Sequence, residues 1–196
     1  MSEIFFAGIA LATAPGLVMT PRSASEQIVA AAVERIGERP ARVADVGTGS
    51  GAIAVSLALA APHAEVWASD VSAAAVLLAR LNAHRHGVGD RVHVVKGNLL
   101  APIPGKLDVI VANLPYLPRS DSGRYPDLAG DPQGAIYGDG DGLDPYRLLL
   151  ASAEEKLTPT GAVVIQLHRQ VLAAERENLA ELARALDASA VGAAAA

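Results

Sequence analysis

Apolar and polar positions change period along this chain, and each change marks an element. Short apolar runs at 42–46, 65–69, 91–96, 107–112 and 162–167, bounded by Gly, Pro or Asp, predict strands. The run Leu107-Asp108-Val109-Ile110-Val111-Ala112 is almost continuously apolar, as in a strand covered on both faces. Between the runs the period is helical. Ile28, Val29, Val33 and Ile36 form one stripe, stopped near Gly37 and Pro40. Residues 51–61 and 73–86 predict two more helices, the second closed by Gly87. Asp144-Pro145 reads as an N-cap with Pro at the first helical position, for a helix running to about Leu157. Leu172, Leu179, Leu182 and Leu186 give a last helical stripe.

The punctuation is equally readable. Ser23-Ala24-Ser25-Glu26 has capping-box spacing. Weak alternation up to Thr20, with Pro15-Gly16 as a turn signal, predicts a short strand or hairpin. Pro159-Thr160-Gly161 predicts a turn before the last apolar run. Residues 120–142 form a long loop rich in Gly, Pro and Asp, of the kind that is usually functional or disordered. Residues 188–196 are nearly all Ala and Gly and predict no structure.

Strand–helix alternation predicts an α/β, Rossmann-like fold: a mostly parallel sheet, helices on both faces, right-handed crossovers. The expected division is a lead-in at 1–22, one α/β domain at 23–187 and an Ala-rich tail at 188–196. Ligands in such folds bind beyond the carboxyl ends of the strands.

Composition narrows the function classes. The chain has 196 residues, 51% hydrophobic and 19% charged, which suits one globular domain. Its net charge of −5 is unfavourable for gripping a phosphate backbone, so nucleic acid is not the expected partner. Cysteine is absent, which removes disulfides and Cys-ligated zinc. The start lacks a basic n-region, and no apolar run reaches the roughly 18 residues of a membrane span. A cytoplasmic protein is expected.

Two motifs fall at predicted strand ends. Asp45-Val46-Gly47-Thr48-Gly49-Ser50-Gly51 leaves a strand and opens a helix, as in loops that cradle a nucleoside-type cofactor. Gly47-x-Gly49-x-x-Ala52 also satisfies a dinucleotide fingerprint, so a nicotinamide cofactor stays open at this point. Asp70 follows the next strand, where a carboxylate takes ribose hydroxyls or caps the following helix. Asn98 and Leu99 follow a third strand and are candidates for reading and covering an adenine ring.

The second motif is Asn113-Leu114-Pro115-Tyr116. The Asn113 side-chain oxygen and the Leu114 carbonyl are two acceptors suited to the two N–H bonds of an amide or amine. Held there, the nitrogen lone pair turns toward an electrophilic methyl, and the acceptors strengthen as positive charge develops. Pro115 presets the Leu114 carbonyl, and Tyr116 offers a flat face. The pairing points to S-adenosyl-L-methionine (SAM) as cofactor, with Asn113 bordering both cofactor and substrate. Asp139–Asp144 fails the calcium-loop pattern, because Leu143 and Asp144 fall where an oxygen ligand and Gly are required. His84 and His86 cannot share a helix face as a metal pair. His168 reads as a solvated turn residue rather than a site contact, and Arg119 and Arg124, which flank the clamp, read either as surface charge or as a dock for an acidic partner. No metal is expected.

With both motifs placed, the chain resembles the HemK/PrmC family of class I SAM-dependent methyltransferases, from about Leu17 to Leu167. Pro21-Arg22-Ser23-Ala24-Ser25-Glu26 looks like the family's Pro-Arg-Pro-Glu-Thr-Glu segment. Asn113–Tyr116 looks like its Asn-Pro-Pro-Tyr, with Leu114 in place of the first Pro. Asp131-Pro132-Gln133-Gly134-Ala135-Ile136 and Gly140-Asp141-Gly142-Leu143-Asp144-Pro145-Tyr146 look like its Glu-Pro…Gly-x-Asp-Gly-Leu…Tyr stretch.

The resemblance implies methylation of the glutamine amide in the Gly-Gly-Gln motif of peptide chain release factors. It also implies a helical recognition domain and two further strands after 162–167, for which the sequence offers no candidates. The apolar run at 162–167 is then expected as an exposed edge open to a partner or a second copy. Asn-Leu-Pro-Tyr also resembles the clamp of ribosomal RNA adenine dimethylases, so methylation of an adenine amino group is the alternative. A non-catalytic scaffold that binds a nucleoside or protein is the third.

Overall fold

The computed structural model describes residues 2–167 and 191–195. The chain opens with an antiparallel hairpin, β1 (Ser2–Phe6) and β2 (Ile9–Thr13), turning at Ala7-Gly8 rather than at Pro15-Gly16. Then come α1 (Glu26–Ile36), β3 (Ala41–Val46), α2 (Ala52–Ala60), β4 (Ala64–Asp70), α3 (Ala73–Arg85) and β5 (Val92–Lys96). β6 (Leu107–Ala112) precedes a two-residue parallel pair, β7 (Leu117–Pro118) with β8 (Tyr137–Gly138). α4 (Asp144–Lys156), β9 (Leu157–Leu167) and β10 (Val191–Ala195) follow. The helix expected around Leu172–Leu186, and His168, lie outside the described residues.

One six-stranded sheet, wholly parallel, runs β10-β9-β6-β3-β4-β5. The chain winds outward from β3 through β4 to β5, then crosses back to place β6 on the other side of β3. The order therefore reverses between β3 and β6, and the carboxyl ends of those strands flank a crevice. Asp45 is the penultimate residue of β3, and Asn113 directly follows β6. Both sheet faces are covered. One apolar cluster joins α1, α2 and α3 to the sheet and includes Phe6 and Leu11 of the hairpin. The other joins Leu100, Ile103, Tyr146, Leu149 and Leu150 to β6 and β9. The hairpin is thus built into the core rather than leading up to it. Asn82 on α3 fixes it: fully buried, it accepts from Ala12 N–H (2.9 Å) and donates to the Ala12 carbonyl (3.0 Å) and the Ser50 carbonyl (2.8 Å).

The structure corrects five expectations. The Ala/Gly tail is not structureless: Val191–Ala195 pairs in parallel with β9 from Val163 to Leu167. β9 is therefore not an open edge, and the partner or self-association site expected there loses its basis. Alanine has weak strand preference and no alternation to read, so the pairing left no pattern in the sequence. Pro159-Thr160-Gly161 does not separate elements; it sits in an irregularity of β9, where Leu107 faces Leu157 while Val109 already faces Ala162. The capping box is not made: Ser23–Ser25 forms a short 3₁₀ turn, and Glu26 instead accepts from Ala7 N–H in the hairpin turn (3.1 Å). Asp144 is the first residue of α4 and bonds Arg147, with Leu143 at the cap position.

Candidate functional site

The Gly loop leaves β3 in a conformation built from beneath. Asp45 is fully buried, and its Oδ2 accepts from Thr48 Oγ1 (2.6 Å) and Ala54 N–H (3.1 Å). Burial pushes its carboxyl up to about 6, against the pull of those two hydrogen bonds. Ser69 C=O accepts from Gly47 and Thr48 N–H (2.9 and 3.0 Å), tying the loop to β4. Gly47 has φ +74°, and a Cβ there would lie 2.7 Å from Leu114 Cδ2. A side chain at this crossing of the two motifs would be strained by the positive φ and would have to displace the Leu114 methyl.

Asp70 spans the crevice's other wall. Its Oδ2 accepts from Gly49 N–H (2.9 Å) and its Oδ1 from Ser72 N–H (2.8 Å). The capping role weighed for Asp70 goes to Ser72, whose hydroxyl accepts from Ala75 N–H (3.3 Å). Leu99 adopts φ +46°, a conformation that non-glycine residues rarely take, and its carbonyl accepts from Ser69 Oγ (2.7 Å).

These residues enclose a cavity of about 390 Å³. Gly47, Gly49, Asp70, Asn98, Leu99 and Asn113 line it, and Pro132, Gly134 and Ala135 of the long loop close over it. Asp45, Thr48, Ser50 and Gly51, also singled out in the sequence, stand behind this lining and shape the loop. The size and the mostly apolar wall suit a small organic cofactor.

The clamp is braced from three distant segments. Asn113 Nδ2 donates to Ser25 Oγ (2.9 Å), which turns the amide so that its Oδ1 faces away from α1. Among the described residues no hydrogen bond reaches that oxygen. Tyr146 is fully buried, and burial drives its hydroxyl well above the usual phenol range. That hydroxyl accepts from Leu114 N–H (2.9 Å) and lies 2.7 Å from the Gln166 carbonyl and 3.2 Å from the Leu114 carbonyl. A phenol has one proton, and the shorter contact takes it. The Leu114 carbonyl keeps its lone pairs for a ligand. Tyr116 is partly buried, and desolvation raises its hydroxyl too.

Beside the clamp is a second cavity of about 90 Å³, lined by Arg22, Ser25, Tyr116 and Gln166 among others. Asn113, Leu114 and Pro115 line both cavities. Asp131 holds the roof to the N-terminal segment, accepting from Thr20 N–H (3.0 Å) and Arg22 Nη2 (2.5 Å). Gly142 has φ +98°, and a Cβ there would overlap the Tyr116 carbonyl, so the Gly-x-Asp-Gly-Leu stretch packs directly on the clamp. Arg147 bonds both Asp141 and Asp144, and holds the Asp141 carboxyl down to about 2. No group of acidic and His residues able to hold a metal occurs among the described residues. His86 bonds the Ala10 carbonyl (2.8 Å), Arg119 pairs with Asp139, and Arg124 with Asp121.

Residues 24–123 match the family model described as methyltransferase small domain, over half of the chain. The chain belongs to the methyltransferase small domain family. It is 41% identical over 174 residues to the release factor glutamine methyltransferase of Moorella thermoacetica, covering 87% of this chain and 60% of that protein. The enzyme of the same name from Deinococcus radiodurans is 42% identical over 168 residues, covering 84% and 59%. The chain thus spans about three fifths of the length of these curated relatives. Their names bear out the HemK/PrmC resemblance. The crystal structure of ribosomal protein L11 methylase from Lactobacillus delbrueckii subsp. bulgaricus superposes with a TM-score of 0.62 at 27% identity, over 86% of this chain and 72% of that one. The fold is that of class I methyltransferases, whose resident cofactor is SAM. The large cavity fits it: the glycines leave room at the loop, and the Asp70 carboxylate lines the wall with lone pairs beyond its two backbone bonds.

Ser25 is not legible in the sequence as the brace of Asn113, because a Ser before a helix reads first as a cap. Tyr146 is marked there only by its place in the family stretch. Nothing in the sequence marked Gln166.

Proposed function

We propose that this chain transfers a methyl group from SAM to the side-chain amide nitrogen of a protein glutamine, with a peptide chain release factor as substrate. One observation carries the reading: Asn113, Leu114 and Pro115 line both the large cavity and the small one. A nitrogen gripped at this wall from the small cavity faces the large one. SAM, when bound there, supplies the methyl carbon as an electrophile.

Asn113 Oδ1 and the Leu114 carbonyl accept the two N–H bonds of the amide. They hold its lone pair out of conjugation with its own carbonyl and stabilise the positive charge that grows on nitrogen. No base acts before transfer, and the surplus proton leaves to water afterwards. Gly47, Gly49, Asp70, Asn98 and Leu99 hold the cofactor, while Asp45, Thr48, Ser50 and Gly51 keep their loop in shape. Tyr116 packs on the flat substrate group. The acidic balance and the absence of cysteine support a protein substrate in the cytoplasm.

The test is mass spectrometry of release factor incubated with SAM and the chain. The expected result is one added methyl on the glutamine of its Gly-Gly-Gln motif. Methyl transfer to adenine in ribosomal RNA, with none to the release factor, would overturn the reading. Calorimetry showing no SAM binding by folded protein would overturn it in favour of a scaffold.

A further inference from the structure

Five buried side-chain polar atoms lack a hydrogen-bond partner among the described residues: Arg22 Nε, Asp45 Oδ1, Ser56 Oγ, Trp67 Nε1 and Gln166 Oε1. Asp45 lies under the Gly loop, Ser56 within α2 and Trp67 on β4; none of these three lines the small cavity. Arg22 and Gln166 both line it. One orphan is a donor and the other an acceptor. The Gln166 residue is only 4% exposed, so water does not relieve it. Folds rarely leave buried polar atoms unpaired, and two of opposite kind around one cavity call for a ligand that carries both complements.

We propose that Arg22 and Gln166 form the specificity subsite for the acceptor. Arg22 Nε–H donates to the side-chain carbonyl oxygen of the substrate glutamine, and Gln166 Oε1 accepts a main-chain N–H of the same peptide. This assignment rests on the glutamine reading above and adds what that reading leaves unmatched. Asn113 and Leu114 take the two amide N–H bonds. The carbonyl oxygen and the adjoining peptide N–H still enter the cavity and lose water there.

Arg22 is preset for the task. Its Nη2 is occupied by Asp131 and by the Asp127 carbonyl (3.2 Å), which fixes the guanidinium plane and leaves Nε. The subsite discriminates by donor and acceptor count. A lysine amine has no carbonyl for Arg22. An adenine base spends both N–H bonds on the clamp and has no further N–H for Gln166. Arg22 and Gln166 are positioning residues: neither touches the transferred carbon.

The test is steady-state kinetics of the full chain on a Gly-Gly-Gln peptide, with calorimetry of S-adenosylhomocysteine as a separate readout. Gln166→Leu and Arg22→Lys should each raise KM for the peptide roughly tenfold, with kcat and S-adenosylhomocysteine affinity held. Gln166→Glu, which keeps an acceptor oxygen, should restore most of the loss. An unchanged KM in both Gln166→Leu and Arg22→Lys, with the peptide still methylated, overturns the subsite and leaves the glutamine reading standing. A loss that falls equally on S-adenosylhomocysteine affinity and thermal midpoint, without rescue by Gln166→Glu, makes the residues packing elements and overturns it too. Failure of the unmodified chain to methylate the peptide overturns the glutamine reading, and the subsite with it.

Discussion

On the cofactor side of Asn113, a single carboxylate, Asp45, binds Thr48 and Ala54, three and nine residues along the chain. On the acceptor side the spans are long. Asn113 leans on Ser25 across 88 residues, Leu114 on Tyr146 across 32, and Asp131 on Arg22 across 109. The first half centres on a contiguous motif and is completed by Asp70, by Asn98 and Leu99 after β5, by Asn82 on α3 and by Pro132, Gly134 and Ala135 of the long loop. The second exists only when α1, the long loop, α4 and β9 have all docked. Damage to remote packing should therefore reach methyl acceptance before it reaches cofactor binding.

The largest test of that division is Asn113→Ala. It removes the acceptor that the proposed mechanism sets against charge developing during transfer, so kcat should fall by about 10²–10³-fold. Calorimetry should find S-adenosylhomocysteine binding nearly unchanged; a parallel loss of binding would merge the two halves. Tyr146→Phe comes next. It strips the partner from the Leu114 N–H and the Gln166 carbonyl, both buried, and should cost about 1–3 kcal/mol in urea unfolding. Activity should fall further than cofactor affinity.

Asp45→Asn probes the other side by pH. The folded pKa of Asp45, about 6, lies above its unfolded value of 3.8. The folded state then holds the proton more tightly, so this group's contribution to stability is full below pH 4 and is lost as pH rises to about 6. Wild type should lose more stability than Asp45→Asn between pH 4 and pH 7, read from paired urea titrations. An equal slope in the two proteins would deny the burial of that carboxylate. Ser25→Ala is the mildest: it frees the Asn113 amide to rotate and should lower kcat about tenfold, in line with loss of one hydrogen bond. Unchanged kcat would remove Ser25 from the clamp.

The same division explains what could be read in advance. β3 through β6, the Gly loop and the Asn113–Tyr116 clamp were legible because each rests on adjacent residues: apolar runs, glycines at strand ends, a proline fixing its neighbour. β10 was not, since Ala and Gly carry neither period nor preference. Ser25, Tyr146 and Gln166 act through partners from other segments, and a linear pattern does not encode those partners. Leu99's unusual backbone gave no sign either, as glycine is the residue that normally marks such a turn.

Asn82 carries one more implication. Its single carboxamide grips the hairpin at Ala12 and the Gly loop at Ser50 simultaneously. The molecule's N-terminal ribbon, whose Phe5 projects into solvent, is therefore tied directly to the loop that backs the large cavity. By thermodynamic reciprocity, occupying that pocket should slow deuterium uptake at the Ala12 amide, more than fifty positions upstream of Asp70.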